Sequence, residues 1–203
     1  MPDIRAVVFD FGGVLFDWSA EYLYRELIPD DEERRWFLTH VCSPAWNLKQ
    51  DCGRPIAEAE AELIALHPDH ADLIRAYYGQ WPKTLRGLLD DGVALLEQLH
   101  AAGVPLYGLT NWSAETYHHV EDKYDFMARF RHVVVSGRIG VVKPDPRIYA
   151  HLLEHVREPA ERCVFIDDNA KNADAASALG LHGITHRSGA ETASRLRALG
   201  VTF

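Results

Sequence analysis

Four short apolar runs in this chain each stop on a polar residue, and that repeat constrains the fold more than any other feature. Ile4 to Phe9 ends at Asp10, Val104 to Leu109 at Thr110, His132 to Val135 at Ser136, and Cys163 to Ile166 at Asp167. The runs favour β-branched and aromatic residues and read as strands covered on both faces. Helical stretches precede the later runs, such as Val93 to Ala102 with Gly103 placed as a C-terminal stop. Strand, helix, strand in alternation predicts an α/β fold with a mainly parallel sheet and helices on both faces.

The stretch from Asp17 to Arg86 breaks the pattern. Tyr22, Leu23 and Leu27 fit one amphipathic helical face, and Glu58 to Leu66 is rich in alanine and glutamate. It reads as an all-helical insertion, with helices only, packed over the carboxyl ends of the sheet. A length of 203 residues suits one domain carrying such an insertion. The expected division is residues 1–16 and 87–203 for the core and 17–86 for the helical unit.

Charge and composition exclude several function classes. The formal net charge is −9, which disfavours non-specific binding to nucleic acid or to an anionic membrane. No apolar run approaches the length that crosses a bilayer. Met1 to Arg5 holds no basic-then-apolar leader, so a cytoplasmic location is expected. Cys42, Cys52 and Cys163 lack CxxC spacing and read as free thiols in a reducing compartment.

In an open parallel sheet, ligands bind beyond the carboxyl ends of the strands. That rule draws together Asp10, Thr110, Asn111, Asp167 and Asp168, with Lys143 in the loop Val142-Lys143-Pro144-Asp145. Taken singly, each has an ordinary structural reading as a turn, helix cap or solvated loop residue. Taken together, they place three carboxylates on one sheet edge, which is costly unless a cation sits among them. Magnesium suits such a site, because it takes few carboxylates, waters and a substrate phosphate.

The segments Val8-Phe9-Asp10-Phe11-Gly12-Gly13-Val14-Leu15, Leu109-Thr110-Asn111, Val142-Lys143-Pro144 and Phe165-Ile166-Asp167-Asp168-Asn169-Ala170-Lys171-Asn172 stand in a familiar order and spacing. The chain resembles the haloacid dehalogenase-like hydrolase superfamily, most of whose members are phosphatases. The resemblance implies a Rossmann-like core with an inserted all-helical cap domain at residues 17–86. It implies Asp10 as a nucleophile that forms an aspartyl-phosphate. It implies Mg2+ held by Asp10, Asp168 and the carbonyl of Gly12, with Asp167 a ligand or a partner of one. Thr110, Asn111 and Lys143 would hold the phosphoryl oxygens of a small phosphorylated substrate, and Lys143 would offset the charge on Asp10. Oligomeric state is left open.

Gly12 departs from the family pattern, in which phosphatases carry an acid two residues after the nucleophile. Losing a general acid costs roughly a hundredfold to ten-thousandfold in rate. A branch resembling the glucose-1-phosphate phosphatases also carries glycine there, which points to sugar phosphates, whose anomeric oxygen is a weaker base. Without an acid, turnover should depend steeply on leaving-group basicity; a flat dependence would direct attention to Asp17 and cap acids such as Asp51. Two rivals remain: a 2-haloacid dehalogenase, whose leaving halide needs no proton, and a non-catalytic binding or regulatory module.

Other residues attract weaker readings. His118 and His119 are adjacent and expected to point apart on a helix, as surface or packing residues. The Glu58, Glu60, Glu62 series reads as a solvated helix face. Trp18, Trp46, Trp81 and Trp112, and Asn47, Gln50 and Asp51 beside Trp46, are either core or pocket lining.

Overall fold

The computed structural model describes residues 3–203. Met1 and Pro2, part of the stretch read as carrying no leader and of the expected core segment 1–16, lie outside the described residues. The chain opens with β1 (Ala6–Phe9) and β2 (Phe16–Trp18), followed by α1 (Ala20–Leu27), α2 (Asp31–His40), α3 (Pro44–Asp51), α4 (Ile56–Leu66) and α5 (Ala71–Gly79). It returns through β3 (Leu85–Leu88), α6 (Asp90–Ala101), β4 (Leu106–Thr110), β5 (Phe130–Val135) and the short α7 (Ser136–Ile139). It finishes with α8 (Pro146–Val156), β6 (Cys163–Asp167), α9 (Ala170–Ala178), β7 (His182–Thr185) and α10 (Gly189–Ala198).

Five strands form one parallel sheet in the order β5-β4-β1-β6-β7. β1 is central, and its neighbours show why its run is apolar throughout. Val7 and Phe9 face one hydrophobic cluster, shared with Leu95, Leu96 and Leu99 of α6. Ala6 and Val8 face the other, with Ile148, Tyr149 and Leu152 of α8. Alternate side chains serve opposite layers, so no solvent-facing position interrupts the run. The expected fold class holds: a Rossmann-like sheet with helices on both faces. Chain order reverses at β1, which makes its carboxyl end the crevice of the sheet.

The expectation of helices only between Asp17 and Arg86 needs correction at both ends. β2 and β3 pair antiparallel, with Phe16 opposite Leu88, Asp17 opposite Gly87 and Trp18 opposite Leu85. Asp17, Trp18, Leu85 and Arg86 therefore stand in strands. Phe-Asp-Trp and Leu-Arg-Gly-Leu are too short to show periodicity, and pairing across the intervening helices makes them strands. β7 also escaped the pattern reading; His182-Gly183-Ile184-Thr185 is an edge strand with one fully buried residue, Ile184.

Between β2 and β3 the chain is helical, and α3 brings it back to the sheet. Ser43 caps α3 by accepting the Trp46 N–H, and Pro44 occupies its first turn. The Ser136 hydroxyl donates to the Asp51 carbonyl at 2.6 Å, and Cys52 Sγ lies 3.1 Å from the Gly140 carbonyl. The Ile56 N–H donates to Glu115 Oε1 at 2.8 Å. These contacts pin the end of α3 to loops at the carboxyl edge of the sheet. All three cysteines are free thiols.

Candidate active site

Asp10 follows β1, and its N–H donates to the Ile166 carbonyl of β6 at 2.8 Å. Two donors hold one oxygen of its carboxylate: the Phe11 N–H and Lys143 Nζ each lie 2.7 Å from Asp10 Oδ1. Lys143 also reaches Asp167 Oδ2 at 2.7 Å and the Leu109 carbonyl at 3.0 Å. Its ammonium is thus fixed between the ends of β1, β4 and β6.

The loop that carries Lys143 is held from β4. Asn111 Oδ1 accepts the Lys143 N–H at 2.8 Å, and Asn111 Nδ2 donates to the Lys143 carbonyl at 3.1 Å. Asn111 therefore has a positioning role beyond the phosphoryl contact expected of it. Asp167 is fully buried and heavily engaged. Its Oδ1 accepts the Asn169 N–H at 2.8 Å, and Asn172 Nδ2 lies 3.1 Å from each of its oxygens. Asp168, next in the chain, is exposed by comparison. The fourth motif contains Asn172, whose hold on Asp167 goes beyond the roles the resemblance implies. The signal for it was an amide in the first turn of α9, five residues after Asp167.

One oxygen each from Asp10, Asp167 and Asp168 lies within 4.8 Å of the other two. Burial, then the charge of Asp167, pushes the Asp10 carboxyl well above the ordinary range, against the pull of Lys143. Asp168 is raised by the same two causes in the same order. Burial pulls the Lys143 ammonium down, but Asp10 and Asp167 together hold it above its usual value. One buried ammonium faces three carboxylates, so the site has room electrostatically for a further cation. Its hard oxygen donors fit magnesium. The backbone allows for this cluster: Gly13 has φ +71°, and a methyl group there would overlap the Asp168 carboxylate.

A cavity of about 110 Å³ opens on this edge. Asp10, Gly12, Thr110, Asn111, Lys143 and Asn172 form its polar floor. Trp18, Trp81 and Trp112 wall it, with ring centroids 5.7 Å apart for Trp18 and Trp81 and 6.2 Å for Trp81 and Trp112. From α3, Asn47 and Asp51 complete the lining.

Two of the residues weighed as lining belong elsewhere. Trp46 packs edge-on against Tyr77 at 5.2 Å, and Gln50 is fully buried against Tyr78. The helix period explains the split, because Asn47 and Asp51 share a face that Trp46 and Gln50 do not. His118 and His119 do not point apart: they sit in a 3-10 turn with ring centroids 4.0 Å apart, away from the cavity lining.

The chain is similar to known proteins over most of its length. The match to the family described as haloacid dehalogenase-like hydrolase covers residues 4–180. The sesquiterpene phosphatase astK of Aspergillus oryzae is 26% identical, with 96% of each chain covered. An (S)-2-haloacid dehalogenase of Pseudomonas putida is 27% identical, covering 89% of this chain and 83% of its own. A HAD family enzyme of Bacteroides thetaiotaomicron, solved in complex with magnesium and inorganic phosphate, superposes with a TM-score of 0.67 at 21% identity, covering 92% of this chain and 96% of that one. The chain belongs to the haloacid dehalogenase-like hydrolases.

Proposed function

We propose that this enzyme is a magnesium-dependent phosphatase that hydrolyses a small phosphorylated metabolite through an aspartyl-phosphate on Asp10. The observation that carries this reading is the gathering of Asp10, Asp167 and Asp168 around a single ammonium. A halide-displacing site needs a nucleophilic carboxylate but no surplus of carboxylates, and a non-catalytic module would keep such a cluster only at a cost to its stability.

Asp10 and Asp168 would hold the magnesium, with the Gly12 carbonyl beside them. Asp167 serves better as a fixed partner for Lys143 and Asn172, since both its oxygens already accept hydrogen bonds. When bound, the metal supplies charge neutralisation between the carboxylates and the incoming phosphate. The chain's own residues do the rest. With Oδ1 of Asp10 held by two donors, Oδ2 is left to attack phosphorus. Lys143 draws off charge from the nucleophile and the phosphoryl group, and Thr110 offers a hydroxyl at the end of β4. Water then cleaves the phosphorus–oxygen bond to Asp10 and restores the carboxylate.

The helical segment between β2 and β3 acts in this reading as a cap that selects the leaving group. The three indoles suit a molecule with an apolar face. A sugar phosphate stacked through its C–H face is the substrate class to which Gly12 points. The aromatic wall equally favours the phosphate ester of an apolar alcohol.

The test is a phosphate-release screen over sugar, aryl and terpenyl phosphates, with and without magnesium. Asp10→Asn keeps the acceptor for Phe11 and Lys143 but not the attacking charge. Turnover is expected to fall by several orders of magnitude with the fold intact. Near-normal turnover in this variant would remove the covalent mechanism. Chloride release from 2-chloro acids, undiminished in chelator, would establish the dehalogenase reading instead.

A further inference from the structure

The family's usual acid position is glycine here, yet nothing crowds it: a Cβ built at Gly12 meets no atom within 4 Å. Packing does not impose the missing carboxyl. If the phosphatase reading holds, a proton must still reach the leaving oxygen from elsewhere around the cavity. Asp17 does not line the cavity, and its carboxylate accepts the Tyr22 hydroxyl at 2.6 Å.

Asp51 does line it, in the same space as Asp10, at the last residue of α3. A one-way chain of donors ends on it. Arg54 Nε donates to Gln50 Oε1 at 2.8 Å, and Gln50 Nε2 donates to the Tyr78 hydroxyl at 3.1 Å. Tyr78 donates to Asn47 Oδ1 at 2.8 Å, and Asn47 Nδ2 donates to Asp51 Oδ2 at 3.0 Å. The chain fixes which way the Asn47 amide faces and engages Oδ2 of the Asp51 carboxyl. The Ser136 contact to the Asp51 carbonyl locks the backbone. The core thus positions a carboxyl carried by the helical segment.

We propose that Asp51 is the general acid and base of this enzyme, supplied from α3 in place of the acid absent at position 12. In the first step Asp10 Oδ2 bonds to phosphorus as the bond to the leaving oxygen breaks, and the Asp51 proton passes to that oxygen. In the second step the Asp51 carboxylate takes a proton from water as the water oxygen bonds to phosphorus. The bond to Asp10 breaks, and Asp51 is protonated again. The environment suits the role: burial pushes the Asp51 carboxyl up to about 7, against a hydrogen bond from the Ser113 main chain. A group poised there can both give and take a proton near neutrality. Tyr77 and Tyr78 of α5, themselves raised by burial, face Asp51 from one side, and Asp10 and Lys143 lie across the cavity.

The experiment measures phosphate release in magnesium from a series of esters graded in leaving-group basicity, for the wild type and Asp51→Asn. The wild type is expected to show a shallow dependence despite Gly12. Asp51→Asn is expected to lose roughly a hundredfold to ten-thousandfold on primary alkyl phosphates and far less on aryl phosphates. It should also accumulate acid-quenched phosphoenzyme, because its second step lacks a base. Asp51→Ser gives the same test if the amide perturbs folding, which a thermal melt reports. Equal losses on all esters, or none, would overturn the proposal while leaving the phosphatase reading in place. Failure of the wild type to release phosphate from any ester would overturn both together.

Discussion

Lys143 is the side chain on which the site depends most. It is 3% exposed and bridges two buried carboxylates at 2.7 Å each. Removing one partner of a buried ion pair costs about 3–5 kcal/mol, because the other charge is left unpaired. Lys143→Ala is therefore expected to lower unfolding stability by that order and to abolish turnover; a denaturation midpoint near wild type would show that the pair is not buried in solution. Asp51 carries the opposite expectation. Its folded value of about 7 lies above its ordinary 3.8, so the folded state resists its ionisation. The penalty is absent below about pH 4, grows as pH rises, and is complete above about pH 7. It amounts to something on the order of 4 kcal/mol at most. Asp51→Asn should thus be more stable than wild type at pH 8 and little different at pH 4. Equal stability at both pH values would place Asp51 in an ordinary solvated environment.

At the scale of elements, the turn after β1 is the most constrained piece. Gly13 needs both a positive φ and the absence of a side chain, because Asp168 occupies the adjoining space. Gly13→Ala should displace the Asp168 carboxylate and weaken magnesium binding while leaving the sheet intact. Titration of magnesium by thermal shift checks this; an unchanged midpoint concentration would mean that Asp168 does not contribute. The strand ends were legible in the sequence because β1, β4 and β6 are covered on both faces and so read as unbroken apolar runs. β2 and β3 were not, since neither has enough residues to establish a period. In the sequence Asp51 stands out as one of several polar residues near Trp46 and, alongside Asp17, as an acid to consider if turnover does not depend on the leaving group. The four-residue period of α3 separates Asn47 and Asp51 from Gln50, but which face meets the cavity depends on the docking of α3. That docking rests on long-range contacts to Ser136, Gly140 and Glu115, which local pattern does not encode.

Across the whole molecule, the proposed catalytic edge draws on elements far apart in the chain: Asp10 after β1, Thr110 on β4, Lys143 before α8, Asp167 on β6, and Asp51 from α3. A site assembled this way concentrates like charge at the meeting point of otherwise apolar layers. Hydrophobic burial in the two clusters must hold it together against that repulsion. A cation bound only in the folded state relieves the repulsion and stabilises the fold by mass action, about 2.7 kcal/mol at a concentration 100 times its dissociation constant. For a chain of 203 residues that corresponds to a rise in melting temperature of roughly 5–10 °C. Magnesium is expected to produce this rise in the wild type and a much smaller one in Asp168→Ala. Chelator should reverse it and abolish phosphate release over the same concentration range. Coincidence of the two titrations would tie the stabilising site to the catalytic one. A melting temperature indifferent to magnesium, with turnover that survives in chelator, would mean that Lys143 alone neutralises the cluster and that the metal has no part in the chemistry.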